Sequence, residues 1–573
     1  MNRWTHGLIW GVLSSVCCCF PGLAAERVYL SFLSANISVS VQSLEDYVDQ
    51  NVVSPELESY LLLLSAEDQA QFRTVLQDAL KVDPLIVSQF LYSPTGEIFL
   101  QKLGDLIQAQ SSQSDRPTLQ NGSNAVRIAL IEAAQNPEGI SLLRVLKQFP
   151  SEGIQLNTQL LFELRDQVEL LMKETDSVVA EIVKLSSQEV NQSIPFDFAQ
   201  QPDLRQSRND KVAKRSWFLR DQRRNRSIPV DFYFPERLDS GIRQSPNTVP
   251  VIVVSHGLGA DRNSYASFGQ HLASYGFAVA LIQHPGSDSY HIQTWLSGKA
   301  SDVFDVNEFI DRPLDVSYLL DELEHRNRVE FQSQLNLNQV GVAGYSFGAY
   351  TALALGGAEL NFANLETQCA SKLDSLNLAQ IFQCRALELP RQPYRLRDSR
   401  VKAIMPMNPL SGSIFGQESL SRIQIPILWK TSGEDNVTPV AREQVRSFTW
   451  LTTPYRYLLL AEGDHHINLN LNVVNRTISA SLQEIIAPTP TTVNGYVNAM
   501  GLAFFKVHVM NEMGYQPYLQ ASYARTISKE PYPLSLVRSI TSEQFFRALE
   551  QAQNPEGDSS ESRIFLGNFQ QIE

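Results

Sequence analysis

Near the middle of the chain stands Gly344-Tyr345-Ser346-Phe347-Gly348, and its flanks constrain the fold more than any other stretch. Val340-Gly341-Val342-Ala343 before it has the character of a short buried strand, and Ala349-Tyr350-Thr351-Ala352-Leu353-Ala354-Leu355 after it that of a helix. A strand turning into a helix within five residues needs small residues on both flanks of the turn, because side chains there would collide with the adjoining elements. Ser346 would then stand at the carboxyl edge of a sheet. The bland alternative is a structural Gly-Ser turn. Short apolar runs at 251–255, 278–283, 340–343, 401–407, 425–431 and 455–460 alternate with helical stretches. That alternation predicts a mostly parallel sheet covered by helices on both faces, an α/β fold. Two further strands, around 216–220 and 228–234, alternate apolar and polar residues across a charged turn.

The rest of the chain differs in pattern. From 26 to about 195 it is expected to form a mainly helical domain. Ser65-Ala66-Glu67-Asp68 resembles a capping box ahead of Phe72, Val75, Leu76, Ala79 and Leu80 at helical spacing. Further helices are expected near 125–134, 141–149 and 158–185, and a loop over the polar run that starts at Gln108. A polar, basic segment at 200–215 marks the boundary to the α/β domain, expected over 205–515. Within it, 361–400 breaks the strand–helix rhythm, and an insertion of that length over a sheet edge reads as a lid. A long helix is expected over 493–513. Residues 516–573 are expected to form a helical tail with a last helix near 542–552.

With 573 residues and 43% hydrophobic content, the chain can bury large cores. Its net charge of −14 argues against nucleic acid and against an anionic membrane surface as electrostatic partners. Arg3, the apolar run at 8–20 and the small residues Pro21-Gly22-Leu23-Ala24-Ala25 form an export signal with cleavage expected before Glu26. An uncleaved anchor is the alternative, and Cys17-Cys18-Cys19 fits a lipidation site poorly. Removing residues 1–25 leaves Cys369 and Cys384, which outside the cytoplasm suggest one disulfide across the insertion; two reduced, buried thiols are the alternative.

A serine hydroxyl becomes a nucleophile when a base removes its proton and a carboxylate orients that base. The loop after the 425–430 strand offers Asp435, with Glu434 as the alternative acid. The loop after the 455–460 strand offers adjacent histidines, His465 and His466, which cannot both face Ser346 from an extended backbone. The glycine three residues before and Ile467-Asn468 after favour His466 as the base, leaving His465 solvated. Adjacent histidines diverge and supply no chelating pattern, so they make a poor metal site. Two backbone donors for a developing oxyanion are expected at the Phe347 amide and at the Leu258 amide, in the loop Ser255-His256-Gly257-Leu258-Gly259. A dinucleotide reading of Gly257 and Gly259 fails because Arg262 stands where a third glycine is needed.

The stretches Val254-Ser255-His256-Gly257-Leu258-Gly259-Ala260 and His271-Leu272-Ala273-Ser274-Tyr275-Gly276-Phe277-Ala278-Val279, together with the 344–348 motif, resemble the platelet-activating-factor acetylhydrolase branch of the α/β-hydrolases. That branch is related to cutinase-like polyester hydrolases and dienelactone-hydrolase-like proteins. Arg312-Pro313 with Asp315, leading into Leu319-Leu320-Asp321, is similar to the helix this group places before the strand that ends at the serine. The resemblance covers about 217–470. It implies an α/β-hydrolase fold, a Ser346/Asp435/His466 triad in that chain order and a secreted or lipid-associated carboxylic ester hydrolase without metal or cofactor. A short-acyl phospholipid ester is the first substrate implied, with polyesters and dienelactones as alternatives, and membrane-surface or envelope association is in keeping with it. The N-terminal helical extension is similar to an uncharacterised leading domain of cyanobacterial proteins. Two features depart from the pattern: Tyr345 stands where a histidine is usual, and the cysteine-bearing insertion is additional. The competing expectation is a non-catalytic envelope protein on a hydrolase scaffold.

Overall fold

The computed structural model describes residues 25–32, 35–62, 65–111, 118–238, 249–370, 377–467 and 489–553. The expected signal segment falls, but for Ala25, outside these residues, as does the end of the tail. The chain divides into two compact units at Leu164/Arg165.

The N-terminal unit is less purely helical than its composition predicts. Strands β1 (Arg27–Phe32), β2 (Ala35–Ser40), β3 (Ile107–Ser111), β4 (Thr118–Asn121) and β5 (Gly153–Leu156) form a sheet in the order β2-β1-β5-β3-β4. The start of the polar run expected as a loop, residues 108–111, lies in β3, where Ile107 to Gln110 pair with Leu156 to Gly153; residues 112–117 fall outside the described residues. β3 pairs on its other side with β4, close by in the chain, but β5 lies more than forty residues downstream, and local composition carries no trace of that partner. Helices follow their caps: Ser40, Ser54, Ser65, Ser93 and Ser141 each accept a backbone N–H of the first turn. Leu57, Leu76, Leu100, Ala129, Phe149 and Ile154 are buried in its core.

The helix Thr158–Gln192 runs through the division. Its later half belongs to the second unit because of what it packs on: Val178 and Ile182 are fully buried, Ser186 Oγ accepts the Leu536 N–H at 3.2 Å, and the Glu189 carboxylate accepts that of Arg538 at 2.9 Å. The end expected for the helical domain, near 195, lies just past the end of this helix, whereas packing moves the division upstream.

Among the described residues, the second unit holds nine strands: β6 (Val212–Asp221), β7 (Arg226–Pro235), β8 (Val249–Ser255), β9 (Ala278–Ile282), β10 (Leu335–Tyr345), β11 (Val401–Met407), β12 (Ile427–Ser432), β13 (Arg456–Ala461) and β14 (Leu534–Val537). Their order is β14-β13-β12-β11-β10-β8-β9-β7-β6. The run from β9 to β13 is parallel, and antiparallel pairs flank it on both sides. Residues of both parities along β8, β9 and β11 are buried, the mark of a sheet covered on both faces. Tyr496, Met500, Phe504 and Phe505 of helix Thr491–His508 share one core cluster with Ile252, Val254 and Met405. The helix Phe347–Gly356 packs on the opposite parity, so closely that a side chain at Gly356 would come within 2.8 Å of Ile404.

The segment after 516 is more than a helical tail. Leu534-Ser535-Leu536-Val537, buried throughout, pairs antiparallel with β13 and closes that edge of the sheet. Four residues are too few for periodicity to reveal them. The insertion forms helices Phe362–Ala370 and Leu378–Cys384, and Cys369 and Cys384 are joined by a disulfide. Its inner face is part of the core: Leu365, Ala379 and Ala386 are buried, and Gln383 Oε1 accepts the amides of Ser413 and Ile414 at 3.0 Å each.

Candidate active site

The turn at 344–348 is a strained elbow. Ser346 sits at φ 54°, ψ −114°, outside the favoured regions for a residue with a side chain, and the surrounding structure has to hold it there. The neighbours explain both glycines. A Cβ at 344 would lie 2.1 Å from the Gly348 carbonyl oxygen, and one at 348 would lie 2.0 Å from that of Ser255. The Ser346 N–H donates to the Met407 carbonyl of β11 at 2.8 Å, which ties the turn to the neighbouring strand. The side chain of Ser346 is left half-buried at the sheet edge, while the helix behind it is buried from end to end.

Loops after two other parallel strands reach this serine. His466 Nε2 lies 2.9 Å from Ser346 Oγ, and His466 Nδ1 lies 2.9 Å from Asp435 Oδ2. With Nδ1 facing a carboxylate, the neutral imidazole carries its hydrogen there and presents Nε2 as acceptor to the serine hydroxyl. Asp435 is encased in donors. Oδ1 accepts the amides of Val437 at 2.9 Å and Thr438 at 2.6 Å; Oδ2 also accepts Asn408 Nδ2 at 2.7 Å, Thr438 Oγ1 at 2.8 Å and Gln444 Nε2 at 3.0 Å. Burial alone would raise this carboxyl's pKa, but the charge and hydrogen bond of His466 and the two amides outweigh it and hold the pKa below the usual aspartate value.

The alternative acid and base are placed elsewhere. Glu434 and His465 are both exposed, with Glu434 Oε2 3.4 Å from His465 Nε2 and the Glu434 carbonyl 3.0 Å from His465 Nδ1. They face each other at the surface, while Asp435 and His466 face Ser346. The loop expected to supply an oxyanion donor lies beside the elbow: a Cβ on Gly257 would sit 3.6 Å from Ser346 Cβ. Among the described residues, neither the Leu258 nor the Phe347 amide has a hydrogen-bond partner. Phe347 opens its helix, where the first N–H groups have no intrahelical acceptor.

Some contributions escape a linear reading. Tyr345, the departure from the resembled pattern, donates its hydroxyl to the His466 carbonyl at 2.6 Å and sets its ring 5.1 Å from the imidazole. Burial pushes its phenol well above the ordinary tyrosine value, so it remains a donor. Asn408, at φ 47° just past β11, was signalled in the sequence only as a polar residue after an apolar run. A second serine–histidine–aspartate chain lies next to the Gly257 loop: Ser255 Oγ is 2.9 Å from His284 Nε2, and His284 Nδ1 is 3.0 Å from Asp315 Oδ2. All three residues are fully buried. His284 also donates its backbone N–H to His256 Nε2 at 3.0 Å, and Arg312 Nη1 donates to the His256 carbonyl at 2.7 Å. Among the described residues, no group of three His, Cys, Asp or Glu side chains is arranged to hold a metal ion, and no helix is long and apolar enough to cross a membrane.

Two family models match the chain. "Alpha/beta hydrolase of unknown function (DUF1400)" matches residues 24–157, which lie in the N-terminal unit. "Platelet-activating factor acetylhydrolase, isoform II" matches residues 230–312, from β7 through the Gly257 loop to Arg312. No curated protein matches. The mostly parallel sheet, the helices on both faces and these matches show an α/β-hydrolase fold. Within that class, the matches support the platelet-activating-factor acetylhydrolase-like branch, and hence a hydrolase.

Proposed function

We propose that this chain is an exported serine carboxylic ester hydrolase that works through an acyl-serine intermediate. The observation that carries the reading is the continuous chain Ser346 Oγ, His466 Nε2, His466 Nδ1, Asp435 Oδ2, with 2.9 Å at each of its two hydrogen bonds, ending on a half-buried serine at a strained elbow. In this reading His466 takes the hydroxyl proton as Ser346 Oγ attacks the ester carbonyl carbon. The carbonyl oxygen becomes an oxyanion held by the Leu258 and Phe347 amides. Collapse breaks the carbon–oxygen bond to the alcohol, which leaves with the proton from His466. Water, deprotonated by the same imidazole, then attacks the acyl-serine; the bond to Ser346 Oγ breaks, the imidazole returns the proton to that oxygen, and the acid is released. Asp435 keeps the imidazole oriented and stabilises its charged form.

The match to an acetylhydrolase family supports short-acyl phospholipid esters as the first substrate class to try, with polyesters and dienelactones as the other branches of the test. Hydrolysis of p-nitrophenyl acetate and butyrate by the wild type, and its loss in Ser346→Ala, is the expected result. Equal rates in the two proteins would falsify the acyl-serine reading. Export is supported by the N-terminal sequence pattern and fits a Cys369–Cys384 disulfide. The mass of the mature chain should begin at Glu26, and a chain retaining residues 1–25 would refute cleavage there.

A further inference from the structure

Beside the acid lies a buried polar cluster that the proposed chemistry does not use directly. Asn408 is fully buried and commits its whole amide. Nδ2 donates to Asp435 Oδ2 at 2.7 Å and to Ser432 Oγ at 2.7 Å, while Oδ1 accepts Lys430 Nζ at 3.1 Å. The opposite amide orientation would set oxygen against a carboxylate and NH2 against an ammonium, so the partners decide which way it points. Lys430 spends its other two N–H groups on Ser432 Oγ, at 2.6 Å, and on Asp464 Oδ2. Ser432 Oγ in turn donates to Asp464 Oδ2 at 2.6 Å. Lys430, Ser432 and Asp464 are all buried. A buried ammonium–carboxylate pair is a poor way to add stability, since desolvation offsets most of its attraction and apolar side chains of similar size would serve as well.

The position of the cluster explains it better. Lys430 and Ser432 end β12, the strand that leads to Asp435; Asp464 stands two residues before His466; Asn408 follows Met407, whose carbonyl holds the Ser346 N–H. The Asn408 N–H donates to the Lys430 carbonyl at 2.8 Å, and the Glu434 N–H to the Asp464 carbonyl at 3.0 Å. The ends of β11 and β12 and the loop after β13 thus meet on one set of hydrogen bonds, and the Ser346 N–H ties the nucleophile's strand β10 to the first of them.

We infer that Asn408, backed by the Lys430–Asp464 pair, is a positioning residue for the proposed Ser346–His466–Asp435 set; the inference rests on the acyl-serine reading. Asn408 holds the Asp435 carboxylate at the angle that meets His466 Nδ1 and keeps it ionised by donation. Lys430 and Asp464 lock the base loop to the acid strand, and their opposite charges leave the local field nearly balanced. Removing either charge therefore tilts the ionisation of the set, in opposite directions.

The test reads the pseudo-first-order rate at which a fluorophosphonate probe phosphonylates Ser346, fluoride leaving, as a function of probe concentration and pH. This needs no knowledge of the natural substrate. Asn408→Gly suits the positive φ and removes the amide. It is expected to lower the limiting rate about tenfold or more, with the half-saturating probe concentration little changed. Lys430→Met leaves the Asp464 charge uncompensated and should move the acid limb of the rate profile to higher pH by about half a unit or more. Asp464→Asn leaves the ammonium uncompensated and should move it to lower pH by a similar amount. A purely structural cluster would give no shift, or shifts of one sign, and either result overturns the inference, as does Asn408→Gly labelling within about twofold of wild type. The two charge variants decide the matter alone if Asn408→Gly does not fold by thermal melt. A wild type that fails to label, or Ser346→Ala labelling equally well, sinks the acyl-serine reading itself and this inference with it.

Discussion

Two serine–histidine–aspartate chains lie close together in the second unit, with nearly the same distances and opposite prospects. Ser346, His466 and Asp435 are linked at 2.9 and 2.9 Å; Ser255, His284 and Asp315 at 2.9 and 3.0 Å. Distance alone does not separate them. Ser255 ends a regular strand and is sealed at 0% exposure, whereas Ser346 stands half-buried on a turn held at positive φ. Their charge environments differ as well. Burial, reinforced by the positive charges of Arg312, Arg226 and Arg224, drives the His284 pKa well below the ordinary histidine value, so this imidazole cannot take up a proton near neutrality. Asp315 is shared with Arg226, whose Nε lies 2.9 Å from Oδ1 and whose Nη2 lies 2.7 Å from Oδ2. Among the described residues, Asp435 accepts only neutral donors besides His466, so its charge remains available to that imidazole. On the proposed reading, access and local field are what would make one relay a catalyst; without them the same bonds make a lock.

The largest expected effect breaks the comparison outright. Ser346→Ala should cut ester turnover at least about a thousandfold, whereas Ser255→Ala should cost no more than about tenfold. Comparable losses in both would mean that the buried chain has been misjudged. Next comes the choice between neighbours in the base loop. His466→Ala should lose activity about as fully as Ser346→Ala, and His465→Ala, which removes an exposed imidazole paired with Glu434, should stay within a few-fold. A large loss confined to His465→Ala would reverse the assignment of the base.

The smallest effect sharpens the idea of a lock, and it appears in stability rather than rate. His256 and His284 are neutral when folded and have pKa values well below normal, burial being the first cause for both and Arg312 the second. In the unfolded chain each binds a proton below about pH 6.5. The unfolded state therefore binds more protons as the pH falls through the window beneath that value, and stability drains away. Above it the contribution is fully present. Urea unfolding should show a free energy that is flat near neutrality and falls from about pH 6.5 downward, by up to about 1.4 kcal/mol per pH unit for each such histidine. Replacing His284 with Asn should lower the stability at pH 7.5 and flatten the slope. An unchanged slope would show that these imidazoles are not locked neutral.

The sequence carried part of this picture unevenly. Ser346 was legible because a strand, a tight turn and a helix are all local. Asp435 and His466 were legible because each follows an apolar strand in chain order, and the structure brings both to Ser346. Tyr345 was visible only as a departure from a pattern, with nothing to say that its hydroxyl reaches a carbonyl 121 residues away. The Ser255–His284–Asp315 chain was hidden in plain residues, since Ser255 ends a strand, His284 follows another and Asp315 lies in a helix. Asn408, Lys430 and Asp464 come from three strand ends, and β14 from a tail of helical character. Each of these depends on which strand lies next to which.

What the amino-acid sequence determined by itself was the class of fold, the elbow and the residue types a serine relay requires, because periodicity, glycine placement and turn chemistry act over a few residues. What only the tertiary structure decided was which of two equally bonded relays stays open, which of two adjacent histidines turns inward, and what surrounds the acid. Those outcomes depend on burial and on charges brought together from distant strands, and no local pattern encodes them.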